Sequence, residues 1–201
     1  MREGIQRNEK DLEMPVLDIV IAPHPVLKTM CTPVETITDE MRELMDNMME
    51  TMYHAGGVGL AAPQVGETMR LFVADVGELD DEGKIKQGKP YKFVNPEIIE
   101  MSDDLFVYDE GCLSIPGFFE ERERPNTIKL KYLDETGKEH VEEFEGLMSF
   151  CIQHEIEHLD GVLFTDHVSR LKRERVMKKL TKEKKQGIQY YKKHGEDCSC
   201  C

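Results

Sequence analysis

The run Gln153-His154-Glu155-Ile156-Glu157-His158 constrains this chain more than any other segment. On a helix two histidines four residues apart share a face, and the glutamate between them reaches a water held at the same ion. The surrounding sequence is apolar and reads as helix. A catalytic metal takes three protein ligands and keeps one position for water. One short segment therefore supplies two ligands and a candidate base, and the third ligand decides the chemistry.

Spacing tests the candidates. His154 to Gly161 matches the opening of the metzincin pattern HExxHxxGxxH, but the next histidine would fall at position 164, which is Phe164. A thermolysin-like zincin would take a downstream glutamate. Glu174 and Glu183 are available, yet both stand among Arg and Lys in a charged, solvated stretch, and the chain lacks the body such proteases need. Cys151, one turn before His154, reads as a small packed hydrophobe in a pocket wall. Cys112 lies in Glu110-Gly-Cys-Leu-Ser-Ile-Pro116, a rigid, irregular segment whose amides can face a ligand. A buried structural cysteine in a turn is the competing reading.

At 201 residues and 39% hydrophobic content, the chain suits one compact core. It has no run of eighteen apolar residues to span a membrane. Met1–Met14 is polar and mixed in charge, unlike a signal peptide or an organellar presequence, so the expected compartment is the cytoplasm. A net charge of −14 argues against generic nucleic-acid binding. The charge is uneven, with +6 over residues 166–201 and −20 over residues 1–165. The basic C-terminal segment is either a solvated helix face or an address for an anionic partner. Six cysteines do not make a disulfide scaffold in a chain this large and helix-rich. Cys198, Cys200 and Cys201 read as a frayed tail, with soft-metal chelation as the alternative.

Leu17–Ile21 reads as a strand or extended entry segment before Pro23 and Pro25. Thr38 caps a helix in which Met41, Leu44, Met45, Met48, Met49 and Met52 recur at helical spacing up to Gly56-Gly57, a stripe suited to adaptable core packing. Arg70–Val76 and Tyr91–Ile99 read as strands, the second interrupted at Asn95-Pro96, with Asp80–Lys89 a surface loop between them. Thr127–Leu133 and Lys138–Phe144 alternate around Asp134-Glu-Thr-Gly137, a hairpin signature. A long basic helix follows from about Asp166 to Gln186. The expected fold class is α+β, with antiparallel β-sheets packed around a central helix carrying the HExxH motif and a C-terminal helix. Residues 1–169 form the expected catalytic domain, and 170–201 a basic helix and Cys-containing tail of the same single-domain chain.

Three segments together resemble the peptide deformylase family: Gly57-Val-Gly-Leu-Ala-Ala-Pro-Gln64, Glu110-Gly-Cys-Leu-Ser-Ile-Pro116 and Gln153-His-Glu-Ile-Glu-His-Leu159. They match that family's GφGφAAxQ, EGCLSφP and QHExDHL signatures in the same order and at similar separations. The similarity runs over about residues 16–170. One departure is visible, Glu157 where the family usually has aspartate, which keeps the charge on a longer arm.

The resemblance implies a hydrolase that removes the formyl group from formyl-methionine of newly made polypeptides and releases formate. It implies Cys112, His154 and His158 as ligands of one metal per chain. Fe²⁺ is the favoured ion, and Zn²⁺, Ni²⁺ or Co²⁺ are substitutes that the same thiolate and imidazole donors suit. Glu155 is the implied base, and the Gln64 side chain and Leu113 backbone N–H the implied donors to the oxyanion. Implied substrate contacts are Gly57, Val58, Gly59 and Leu60, then Glu110 and Gly111, then Leu147, Phe150 and Cys151. The last three, with Val58, would wall an apolar pocket for the methionine side chain. Gly57 and Gly59 let backbone approach an extended peptide. Glu110 and Arg124 are expected to pair behind the Cys112 loop, with Phe118 and Phe119 as an apolar rim. The implied partners are N-formylmethionyl peptides or nascent chains; separately, the charge of the basic segment Arg170–Lys193 suggests a ribosome contact as a secondary expectation, and the lack of a long apolar run suggests no membrane partner. Two other readings compete: a small zinc endopeptidase that does not need Cys112, and a metal-binding or ribosome-associated protein without catalysis.

Overall fold

Strand β2, Leu71–Ala74, is buried at all four positions and divides the interior in two. In the computed structural model, which describes residues 15–79, 85–86 and 88–191, Leu71 and Val73 face one layer while Phe72 and Ala74 face another. The flanking strands are β1 (Gly59–Ala61), β5 (Tyr91–Met101), β8 (Thr127–Leu133) and β9 (Glu139–Glu145), in an antiparallel sheet ordered β1-β2-β5-β8-β9.

Helix α1 (Asp39–His54) covers one face. Thr38 caps it by accepting from the Met41 N–H, and Met45, Met48, Met49 and Met52 pack on Leu60, Leu71 and Val73. The methionine stripe is thus core, filled by unbranched side chains that adapt to the twisted sheet. Helix α2 (Gly146–Leu159) covers the other face, its Cys151, Ile152 and Leu159 meeting Phe72, Phe93, Leu130 and Phe144. Gly146, at φ 58°, turns the chain out of β9 into α2, and Gly161, at φ 72°, turns it away after the Asp160 cap. A Cβ on Gly161 would stand 2.8 Å from the Lys28 carbonyl oxygen, so only glycine fits there.

Several elements differ from the sequence expectations. Of the two readings of Leu17–Ile21, strand or extended entry segment, the strand does not form. The neighbourhood of this segment is tied by single bonds, Val20 N–H to the Gln64 carbonyl (2.8 Å) and Ala22 N–H to that of Ser114 (2.9 Å). The segment read as a loop, Asp80–Lys89, contains β4 (Ile85–Lys86), which pairs antiparallel with β3 (Glu78–Leu79) just before it. Strand β5 is continuous through Asn95-Pro96 but bulged, with a register shift between Val94 and Glu97 and Asn95 at φ 50°. Two strands were not read from the sequence, since β7 is charged and lacks an apolar alternation: β6 (Leu105–Glu110) and β7 (Glu120–Pro125) form a separate antiparallel pair.

Helix α3 (Arg170–Lys185) begins later than expected, since Phe164–Asp166 form a 3₁₀ turn in which Asp166 accepts from the Leu163 N–H at 2.8 Å. Leu180 carries α3 into a third core cluster with Ala22, Leu27, Ile115, Leu163 and Phe164. Among the described residues no helix is long and apolar enough to cross a membrane. The Met1–Met14 lead, Lys192, Lys193 and the C-S-C-C tail lie outside the described residues.

At the β5 bulge, the Asn95 side chain accepts from the Val34 N–H and donates to the Val34 carbonyl, both at 2.8 Å, while its backbone holds a positive φ. Asn95→Ala loses both bonds and is expected to lower unfolding stability by about 1–3 kcal/mol in urea titration. A loss below about 0.5 kcal/mol would show that the amide does not anchor the Val34 segment.

Candidate active site

The helical spacing on α2 brings His154 and His158 together, ring centroids 4.8 Å apart and near perpendicular. The end of β6 delivers Glu110, and the irregular segment after it brings Cys112 to the same point, its Sγ 3.1 Å from His158 Nε2. The donor atoms of Cys112, His154 and His158 lie within 4.8 Å of one another. One thiol and two imidazoles make a donor set suited to a first-row divalent ion.

A buried ion network stands behind His154. Its Nδ1 hydrogen-bonds the Glu110 carboxylate, which leaves Nε2 free to face the cluster. Arg124, 5% exposed, donates to Glu110 at 2.7 Å and forks onto Glu157 at 2.8 and 3.1 Å. Arg122 and His167 flank Glu157 as well, at 3.8 and 3.3 Å. The longer arm at position 157 therefore still meets the guanidinium in a two-point contact. Exposed pairs contribute about 0–1 kcal/mol, whereas breaking a buried one costs about 3–5 kcal/mol. With both partners nearly inaccessible, Glu110–Arg124 belongs to the second class.

Burial opposes ionisation of Glu110, yet the bonds from His154 and Arg124 hold its pKa down at about 2. Burial opposes charge on His154 too, but its contacts with Cys112 and Glu110 raise its pKa well above the usual value, so an incoming cation competes with a proton at this ring. Burial, and then the neighbouring His154, push His158 well below the normal range, toward the neutral ring a metal takes. Its buried Nδ1 has no hydrogen-bond partner among the described residues.

Cys112 and His154 of the cluster line a cleft of about 680 Å³. Gln64 is oriented by the Ala61 N–H, which donates to its Oε1 at 2.8 Å, so its Nε2 turns to Cys112 Sγ at 3.5 Å. Burial raises the Glu155 pKa to about 7, and its Oε2 has no partner among the described residues, leaving a buried acceptor in the cleft. Gly57 and Gly59 have an internal reason to be glycine. A Cβ on Gly57 would stand 2.7 Å from Leu113 Cδ1, and one on Gly59 would stand 2.7 Å from Cys151 Sγ and against Glu155.

Gly57, Val58 and Gly59 form one wall, Glu110, Gly111, Cys112 and Leu113 the opposite one, and Leu147, Phe150 and Cys151 an apolar end beside His154 and Glu155. Cys151 donates weakly to the Val58 carbonyl at 3.4 Å and stays outside the metal group. The Leu60 side chain is fully buried with Met45, Leu71 and Val73, because successive residues of β1 face opposite sides, so only its backbone is placed to meet a peptide. Glu110 lies at the wall but is 2% exposed and committed to Arg124 and His154. Of the two rim phenylalanines, Phe119 is 66% exposed, whereas Phe118 stacks on Phe164 at 5.7 Å. Sequence reasoning missed Tyr108, which meets Phe150 edge-on at 5.7 Å. The short run Leu-Phe-Val-Tyr before Asp109 was its available signal. Lys179, Tyr190 and Tyr191 also line the mouth and had no sequence signal.

Fold and site together define a hydrolase built to hold a metal ion in an antiparallel α+β frame. A family model described as polypeptide deformylase matches residues 16–174. A peptide deformylase of Phenylobacterium zucineum is 52% identical over 172 residues, covering 86% of this chain and 99% of the relative. One from Caulobacter vibrioides is 54% identical over 159 residues, covering 79% and 89%. A crystal structure of the Ehrlichia chaffeensis peptide deformylase in complex with actinonin superposes with a TM-score of 0.78 at 39% identity, covering 87% of this chain and all of that one. The chain belongs to the peptide deformylase family, metal-dependent hydrolases that remove formyl groups from newly made polypeptides.

Proposed function

We propose that Cys112, His154 and His158 hold one Fe²⁺ per chain, with Zn²⁺, Ni²⁺ and Co²⁺ able to replace it. The observation that carries this reading is the convergence of those three donors with the Gln64 amide, turned toward Cys112, and with the unpartnered Glu155 Oε2, which border the same cleft. A bound divalent ion supplies Lewis acidity that makes water nucleophilic near neutral pH.

The remaining chemistry falls to the chain's own residues. Glu155, with a pKa near 7, takes a proton from the attacking water and passes it to the leaving amine. The Gln64 side-chain N–H and the Leu113 backbone N–H donate to the oxygen that gains charge as the formyl carbon becomes tetrahedral. An extended formyl-Met peptide lies along the Gly57–Gly59 edge, and its first side chain enters the end walled by Val58, Leu147, Phe150 and Cys151. Gly111 borders the path of the peptide backbone. Actinonin in the Ehrlichia structure supports the use of this cleft by a peptide-like ligand.

We place the enzyme in the cytoplasm, where formylated chains emerge, and treat residues 1–169 and the basic segment after them as one working unit. Arg175, Lys178, Lys182 and Lys185 are exposed along one side of α3 and suit a contact with ribosomal RNA. Truncation is a poor test of that contact, because Leu180 belongs to the third core cluster.

Metal-loaded protein is expected to release formate from formyl-Met-Ala-Ser, and Glu155→Gln to lower kcat by about 10²–10⁴-fold. Undiminished turnover in that variant would remove Glu155 from the reaction. Turnover that survives Cys112→Ala would favour the endopeptidase-type site. Ribosome co-sedimentation is expected to weaken steeply with salt and to fall in the triple charge reversal of Lys178, Lys182 and Lys185 to Glu. Salt-independent or absent binding would reject the contact.

A further inference from the structure

Helix α3 ends in a turn that sends the chain back to the cleft. Gly187, at φ 73°, donates its N–H to the Lys184 carbonyl, and Ile188 donates to that of Glu183, the paired bonds of a Schellman motif. The Tyr190 hydroxyl then donates to the Glu183 carboxylate, and its ring packs on the third core cluster. This lays Tyr191 against the cleft, where its hydroxyl donates to the Leu113 carbonyl at 2.9 Å.

That bond falls on a sensitive stretch of backbone. Three successive carbonyls in the cysteine loop each have a partner: Cys112 accepts from the Ile115 N–H at 2.9 Å, Leu113 from Tyr191, and Ser114 from the Ala22 N–H at 2.9 Å. The outer two are held by backbone donors, and the middle one by a side chain from the far end of the chain. On its other side the Leu113 side chain rests against Gly57. Residue 191 also lies beyond the segment, 16–174, that the family model matches.

We propose that Tyr191 is a positioning residue: its hydroxyl fixes the Leu113 carbonyl and so the orientation of the Cys112–Ser114 backbone that presents the Leu113 N–H. The inference rests on the deformylase reading for its effect on rate, but not for its effect on the loop. Tyr191→Phe keeps the ring and removes only the donor.

In full-length, Ni²⁺-loaded protein, Tyr191→Phe is expected to lower kcat for formyl-Met-Ala-Ser by about three- to tenfold, with KM within about twofold. Amide hydrogen exchange in residues 111–117 is expected to quicken several-fold without a change in melting temperature. Unchanged exchange overturns the inference whether or not the parent turns over. Quickened exchange with unchanged kcat, or a rise in KM alone, also overturns it, since Tyr191 would then be only a wall of the cleft. A parent without formate release but with quickened exchange in the variant leaves the loop contact standing and removes the deformylase reading instead.

Discussion

The site depends on one buried carboxylate. Glu110 has no solvent to stabilise its charge, so it must be met by Arg124 on one side and His154 on the other. That requirement fixes three elements at once: the end of β6, the end of β7 and the buried side of α2. The β6–β7 pair contributes few core residues, and its place against α2 is set by this charge network and by the bonds of Ser149 and Gln153 to the Pro125 carbonyl at 3.0 and 2.9 Å. Cys112 follows Glu110 by two residues, so anchoring the carboxylate also delivers the thiol.

The five-stranded sheet has the complementary task of making α2 rigid. Cys151, Ile152 and Leu159 lock α2 against Phe72, Phe93 and Phe144, which sets His154 and Glu155 in the lining of the cleft and holds His158 beside Cys112. Glu155 is thereby buried next to partners it does not fully satisfy, and its carboxyl is raised toward neutrality without losing access to the cavity. Stability in the core and reactivity at the site come from the same helix packing.

Legibility in the sequence followed locality. The HExxH helix and the β8–β9 hairpin were readable because each is specified within about twenty residues, by a four-residue repeat or by Asp134-Glu-Thr-Gly137 between alternating runs. The role of Cys112 needed the family resemblance, since its ligand partners lie more than forty residues away. The Glu110–Arg124 pair was expected, but the Arg124–Glu157 fork was invisible for a related reason: a glutamate at 157 looks solvated until the fold brings it to Arg124. The burial of the Leu60 side chain was not legible because a motif names a stretch, whereas a strand turns successive side chains to opposite layers. Tyr191 carries no periodic or motif signal, and its position depends on where a Schellman turn releases the chain after α3.

The most direct measurement of whether Glu110 organises the site is the Zn²⁺ affinity of Glu110→Gln against the parent, by competition with a chelator at fixed pH. With the carboxylate gone, His154 loses the acceptor that sets its ring orientation, and affinity is expected to fall by about 10–100-fold. Equal affinities in the two proteins would contradict the dependence of the metal donors on this buried charge.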